Sequence, residues 1–390
     1  MKKSYPLTYA LIPAASEDTA GSRIRVHSLG RTLLRLGHKV EIGLSPDADV
    51  IFVQERVTFE ILDFVRAAKA RGCLVLYDVV DVGDALGYWV SRRLFYEMIQ
   101  IADGVTTCTE GCRKELLHRY GCPAVRIIPD AVDYDPQGPI RLPLRTGSPF
   151  RILWFGAAAN LSMFEKYIDT LLEVSDVELV VSTGADRIDA YSRKYPRISF
   201  QPWSKAGFVN LLQTCDLSCL VHDGSTVERA KSNNKMIASV IWGVPAIVSD
   251  TPAYTETAIL AGVPYAVFHD KRELCAIIDR LRLVEARRQY LETAQPEIWP
   301  RYSPEAVAKI FVDIACFSRW RAGGSTAVQR PRAPSRGSLG WQNIRAVGYQ
   351  FCYGIWCVRS SYHRWKTIFE LVRECVKRFS RLITKSGRFC

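Results

Sequence analysis

The chain reads as an α/β protein built from two Rossmann-like domains. Short apolar runs rich in β-branched residues alternate with amphipathic helical runs through both halves, the pattern of parallel sheets covered by helices. Residues 134–149 are rich in Pro and Gly, lack periodicity and separate the halves. The stretch 223–257, DGSTVERAKSNNKMIASVIWGVPAIVSDTPAYTET, runs polar loop, helix, glycine stop, buried strand, which is one turn of a doubly wound sheet. With 390 residues, 48% hydrophobic and 24% charged, the chain has room for two domains and an appendage at ordinary globular composition.

In order, residues 7–12 form the first predicted strand. The small-residue loop 13–21 follows, and Ser22 caps a helix over 23–36. Gly37-His38 ends that helix before a strand at 39–44. A strand at 50–53, a helix at 59–70 and a strand at 73–77 come next. Asp78-Val-Val-Asp81 lies at the C-terminal end of the last of these, where parallel sheets bind ligands. Asp78 reads as a strand cap, and Asp81 as a carboxylate that orients an acceptor hydroxyl or acts as general base. Strands at 102–107 and 125–128 flank a helix from 109 to 120. Asp133-Tyr134-Asp135 has the Asp-x-Asp spacing of some metal sites but sits in a hinge-like run with Pro136, Pro139 and Pro143, and no metal is assigned.

The second half restarts with a strand at 151–155 and a small-residue turn, Gly156-Ala157-Ala-Ala-Asn160, into a helix. Strands are expected at 178–182, 197–200, 216–221 and 245–249, with helices between. In the 223–257 stretch, Glu228, Arg229, Lys231, Asn233, Asn234 and Lys235 precede an apolar helix that Gly243 ends. Free backbone N–H groups and the helix dipole favour a phosphate at that end, and the two lysines add point charge. The plain alternative is a helix start with solvated charges. One long charged helix over 274–292 and a final helix from about 303 to 315 complete this half.

Several of these segments resemble GT-B glycosyltransferases, especially the large retaining GT4-like group. The order of 223–257, with Gly243-Val-Pro, resembles their donor-nucleotide segment. GHKVEI at 37–42 resembles their GH-x-V before the second strand. Pro129-Asp-Ala-Val-Asp133 resembles the run that closes their N-terminal domain, Gln201-Pro-Trp203 their F-x-G-W turn, and Tyr302-Ser303-Pro-Glu305 the start of their closing helix, which crosses back to the first domain. The resemblance covers about residues 5–316. It departs at three places. The two glutamates eight apart fall here on Ala230 and Ala238, with Glu228 two residues too early, so Lys-Ser-Asn-Asn-Lys at 231–235 is expected to take over part of their work. Asp130 and Ala131 stand for the usual Asn and Gly. The histidine that many members carry near residue 81 has no counterpart.

The resemblance implies an acceptor-side domain over 1–134, a linker over 135–149 and a donor-side domain over 150–316. Ser22, Arg23 and Arg25 are expected at the mouth of the cleft on the acceptor side. The donor is expected to meet Gly156, Ala157, Lys231, Asn233, Asn234, Lys235, Tyr254 and Glu256, with Tyr254 stacking on a ring and Glu256 accepting sugar hydroxyls. Glu256 reads equally well as a first-turn carboxylate. The expected catalytic residues are Asp81, Glu228 and Lys235. The implied function is metal-independent transfer of a sugar from a nucleotide-activated donor to a glycan or lipid-linked acceptor. The nucleotide sugar is a co-substrate and no cofactor is expected. An epimerase or hydrolase of the nucleotide sugar, and a non-catalytic scaffold in envelope glycan assembly, are the alternatives.

The formal net charge of +12 is unevenly placed. Residues 317–390 hold 15 Lys/Arg against Glu370 and Glu374, a net +13, so the residues before them sum to −1. Within this stretch 317–340 reads as a flexible linker and 341–390 as a basic helical tail. Trp365, Ile368, Phe369, Val372, Val376 and Phe379 recur at helical spacing among arginines and lysines. A basic helix with a Trp/Phe face marks an interfacial membrane anchor, so an anionic membrane surface is the expected partner. A hairpin packed on the body and a nucleic-acid arm are the rival readings, and no nucleic acid is assigned. No apolar run reaches the roughly 18–20 residues of a membrane span. The first 21 residues imitate a signal peptide, but Pro6 and Thr8 break the apolar patch. The twelve cysteines show no zinc-site spacing and read as buried thiols. A cytoplasmic protein, peripheral at the membrane face, is expected.

Overall fold

The computed structural model describes residues 6–83 and 86–322; the membrane-anchor expectation for 341–390 and most of the expected linker lie outside the described residues. The first sheet holds β1 Thr8–Ile12, β2 Lys39–Ile42, β3 Val50–Gln54, β4 Leu74–Asp78, β5 Gly104–Thr107 and β6 Val125–Ile127, all parallel, in the order β2-β1-β3-β4-β5-β6. β3 and β4 are buried at every position, as central strands covered on both faces must be. Alternate side chains feed two cores. Ala10, Ile51, Val53, Val75 and Tyr77 pack with Leu62, Val65 and Phe95 on one face. Tyr9, Leu11, Phe52 and Leu76 pack with Ile24, Leu29 and Phe311 on the other.

The helices of this half are α1 (20–35), α2 Phe59–Ala70, α3 Arg92–Ile101 and α4 Glu110–His118. The middle of α1, Arg23–Ser28, is π-helical, a local widening that often accompanies functional or crowded sites. Thr58, Ser91 and Thr109 cap α2, α3 and α4 by accepting a backbone N–H three residues on. α3 has no counterpart in the sequence expectations.

The second sheet holds β7 Phe150–Phe155, β8 Val177–Thr183, β9 Ile198–Pro202, β10 Leu217–Leu220, β11 Ala246–Ser249 and β12 Val267–Phe268 in the parallel order β12-β11-β10-β7-β8-β9. Its helices are α5 Leu161–Glu173, α6 Ala185–Lys194, α7 Phe208–Gln213, α8 Thr226–Ala230, α9 Asn234–Ile241, α10 Pro252–Leu260, α11 Lys271–Leu281 and α12 Val284–Tyr302. The chain direction of winding reverses between β7 and β10 here, and between β1 and β3 in the first sheet. Ligands of doubly wound sheets bind in the crevice at such a reversal, outside the carboxyl ends of the strands.

Two expectations are corrected. The single helix over 274–292 is two helices, α11 and α12. The buried Arg287 guanidinium donates to the carbonyls of Leu281 and Arg282 at 3.0 and 3.1 Å, satisfying the open end of α11 and letting the chain turn there. α12 then runs through Pro296 and Pro300 to Tyr302. The last helix, α13 Pro304–Ala322, passes the expected boundary at 316 into the stretch expected to be linker. It also leaves the second sheet: Phe311 meets Phe52 edge-on at 5.2 Å and Tyr9 at 5.5 Å, closing the first core.

Candidate functional site

The reversal in the second sheet sets out the site. β7 ends at Phe155 and delivers Gly156; β10 ends at Leu220 and delivers Val221 and His222. α9 starts beside them. Its apolar residues from Met236 to Ile241 are all buried, which anchors the helix, and Asn233 at its start provides no side-chain cap. The Lys235 ammonium is buried and has no hydrogen-bond partner among the described residues. A Cβ placed on Gly156 would lie 3.3 Å from Lys235 Nζ, so the glycine is what leaves room for the amine. Burial, helped by the charge of Lys231 and opposed by Glu228, brings Lys235 down to about 8. At neutral pH it is still largely an ammonium, buried without a counter-ion in contact, and an anion is what it lacks.

Beside it, the buried Glu228 carboxylate is held by His222 Nδ1 and by Lys231 Nζ. Burial opposes ionisation, but these two partners hold its pKa down at about 2. Ser225 caps α8 through the Glu228 N–H at 3.3 Å, which fixes where the carboxylate stands. The His222 ring stacks on Tyr254 with centroids 5.0 Å apart, and the backbone N–H of His222 donates to Ser249 Oγ at 2.8 Å. His222 Nε2 and the Tyr254 hydroxyl are both buried without a partner among the described residues.

From the first domain, Asp81 faces this cluster. Its carboxylate accepts the Trp89 indole N–H at 2.7 Å. Burial raises its pKa, against the Trp89 hydrogen bond and the charge of Lys231. Glu55, immediately after β3, accepts the Asp81 N–H at 2.8 Å and the Val80 N–H at 3.2 Å. Burial, then the Asp81 charge, pushes Glu55 well above the usual carboxylate range. The two domains meet here directly. Thr109 Oγ1 donates to the Ala230 carbonyl at 2.6 Å and Ser232 Oγ to Asp130 at 2.6 Å. A Cβ on Gly111 would fall 2.8 Å from the Arg229 carbonyl, so only glycine admits this approach of α4 to α8.

No family model and no curated protein sequence matches the chain. Solved structures do. A glycosyltransferase from Rickettsia africae ESF-5 is 12% identical, the match covering 81% of this chain and 99% of that one, with a TM-score of 0.58. Anabaena HepE, solved with UDP and glucose, is 13% identical over 80% of this chain and all (100%) of that one, at a TM-score of 0.58. The lipopolysaccharide outer core galactosyltransferase WaaB, in its apo form, is 14% identical over 80% of this chain and 100% of that one, at 0.51. The fold is GT-B.

Within this GT-B frame, Gly156, Glu228, Lys231, Lys235, Tyr254 and Asp81 come together at the cleft. Tyr254 is fully buried and stacks on His222. Asn233 is spent on holding α10, its amide donating to Thr257 Oγ1 at 2.7 Å, and Asn234 is half-buried at the helix start. Ala157 and Glu256 are exposed. Two residues beside the cluster escaped the sequence reading, His222 and Glu55. Each stands one or two positions past the C-terminal end of a strand next to a winding reversal, which is the signal that marks them.

The acceptor-side expectation for Ser22, Arg23 and Arg25 is corrected, because all three are buried and none lines the mouth of the cleft. Arg25 forks onto Asp78 at 2.6 and 2.7 Å and reaches Asp130 at 3.0 Å. Arg23 forks onto Asp133 at 2.7 and 2.9 Å and lies over the rings of Tyr134 and Trp203, the latter from the second domain. Ser22 Oγ donates to Gln54 at 2.9 Å. The Asp-x-Asp pair is likewise engaged, Asp133 with Arg23 and Asp135 with Arg31. These arginines tie the crossing segment between the domains to α1.

Proposed function

We propose that the chain is a glycosyltransferase that moves a sugar from a nucleotide-activated donor to a glycan or lipid-linked acceptor. The observation that carries this reading is Lys235: a buried ammonium with no counter-ion in contact, at the winding reversal of the second sheet of a GT-B fold. Glycosyl transfer requires stabilisation of negative charge as the diphosphate departs from an oxocarbenium-like sugar. Lys235 and the start of α9 supply fixed positive charge at that point, and Gly156 lets backbone approach the phosphates. Glu228, anchored by His222 and Lys231, is positioned to accept donor ribose or sugar hydroxyls. Asp81, half-buried across the cleft, orients the acceptor hydroxyl. The reading invokes no metal. HepE was solved with UDP and glucose, so uridine nucleotides come first among the candidates. The net +13 of residues 317–390 supports an anionic membrane surface as the place where a lipid-linked acceptor is met.

The test is thermal stabilisation of the full chain by a panel of nucleotide sugars, repeated with Lys235→Ala. A ligand bound only by the folded state raises the melting temperature. At least one nucleotide sugar should do so for the wild type, and the effect should vanish in Lys235→Ala. Transfer by Lys235→Ala at near wild-type rate, with unchanged donor affinity, would end the assignment.

A further inference from the structure

The His222 ring is held on two sides: Nδ1 is engaged by Glu228 and one ring face stacks on Tyr254. The backbone N–H of the residue is tied separately to Ser249 Oγ at 2.8 Å. These contacts hold the ring against turning to seek another partner. What remains is Nε2, on a side chain 3% exposed, buried and without a hydrogen-bond partner among the described residues. A buried polar atom left unpaired is unfavourable, and most such atoms in folded proteins are paired. The loop that carries His222 and the loop that carries Gly156 follow β10 and β7, the adjacent strands that flank the winding reversal. Lys235, another polar group of this crevice without a partner among the described residues, touches the Gly156 side of it.

Building on the donor-binding reading above, we propose that His222 is a second direct ligand of the anion that Lys235 pairs with, donating from Nε2–H to a phosphate oxygen while Glu228 holds Nδ1. The ligand class is a diphosphate, free or as part of a nucleoside diphosphate. A neutral imidazole whose Nδ1–H donates to Glu228 has no proton on Nε2. Binding in this mode therefore takes up one proton from solvent, and the ring becomes an imidazolium between a carboxylate and a phosphate.

The charges around the ring support this exchange. Glu228 faces it from α8, Lys231 from the end of α8, Lys235 from α9, and Tyr254 covers it from α10. Without an anion, burial and the two lysines favour the neutral ring against the pull of Glu228. Glu228 is already balanced by Lys231, so Lys235 is left uncompensated. An anion that carries two or more negative charges offsets Lys235 and reverses the balance at His222. The sign follows: the protonated ring binds the anion, so affinity falls as pH rises through the ring pKa of the complex.

The experiment follows ring titration by NMR in the full chain labelled with 15N-histidine, with inorganic pyrophosphate as the probe and His222→Gln to identify the signal. With pyrophosphate bound, the His222 pKa should rise by about one unit or more, which corresponds to about a tenfold tighter complex for the protonated ring. His222→Gln should bind pyrophosphate about tenfold more weakly at about pH 6, and its affinity should lose most of its fall between about pH 6 and 8. If pyrophosphate binds in a Lys235-dependent way but leaves the His222 titration unmoved, His222 only holds Glu228 and the inference is wrong while the function stands. If neither pyrophosphate nor any nucleoside diphosphate binds the wild type, both fall. The ring titration is read in the wild-type chain, so a poorly folding variant does not decide the outcome.

Discussion

Arg25 grips Asp78 in a two-pronged ion pair of 2.6 and 2.7 Å, and both side chains are buried. Thr106 Oγ1 adds a third contact to the same carboxylate at 2.6 Å. Removing one partner of such a pair leaves a buried charge uncompensated. Arg25→Ala is therefore expected to destabilise the fold by about 3–5 kcal/mol in urea denaturation, since Asp130 loses its ion-pair partner as well and keeps only the Ser232 hydroxyl. A variant that keeps wild-type stability but loses acceptor affinity would return Arg25 to the cleft.

Folding lowers the pKa of both Lys235 and Glu228, so each makes stability rise with pH, in separate windows. Lys235 falls from 10.5 to about 8 on folding, so the folded state binds fewer protons and stability rises as pH climbs from about 8 towards the unfolded value. Lys235→Met should raise stability at neutral pH, on the order of 1–3 kcal/mol, because it removes that buried charge. Nucleoside-diphosphate affinity should move the other way and weaken above about pH 8, as the amine loses its proton. Glu228 falls to about 2 on folding, so its contribution is full above about 4.5 and is lost as pH drops towards about 2. Glu228→Gln should remove that acid-sensitive part, as read from denaturation midpoints across this range.

Gly156→Ala tests the approach to Lys235. The added Cβ would lie 3.3 Å from Lys235 Nζ and 3.3 Å from the Trp154 ring, tight but not a clash. Stability should change by about 1 kcal/mol or less, since the amine can shift. Nucleoside-diphosphate affinity should fall about tenfold, which costs about 1.4 kcal/mol of binding. Unchanged affinity would place the diphosphate elsewhere.

The fold also makes α13 indispensable. A chain ending at Ser303 loses Phe311 from the first core and should not fold, whereas one ending at Ala322 keeps every described core residue and should. Phe311→Ala should cost about 3–5 kcal/mol. The longer of these is also the proper control for the basic tail: the full chain should bind anionic liposomes in a salt-sensitive way, and the chain ending at Ala322 should not. Equal binding by both would remove the tail from any membrane role.

The two sheets were legible because their signals are local. The buried run Val-Ile-Phe-Val at 50–53 marks a strand by itself, and the stretch 223–257 carries helix, glycine stop and strand in one run. Lys235 was legible for the same reason, since the amine and the helix start are adjacent in the chain. Arg23 and Arg25 were not. Basic residues at a helix start do seek anions, but the anions here are Asp133, 110 positions away, and Asp78 and Asp130, 53 and 105 away. The break between α11 and α12 was hidden because Arg287, not a glycine or proline, satisfies the open helix end. His222 was hidden because its stacking partner is Tyr254, which the fold brings to it from α10.

The most direct measurement is calorimetric titration of the wild type and of Lys235→Met, at about pH 7, with the nucleoside diphosphate that stabilises the wild type most. The account predicts measurable binding by the wild type and about a 100-fold loss, some 2.7 kcal/mol, in Lys235→Met, with a melting temperature equal to or above that of the wild type. Equal affinity in the two proteins, or no binding of any nucleoside diphosphate by the wild type, would contradict it.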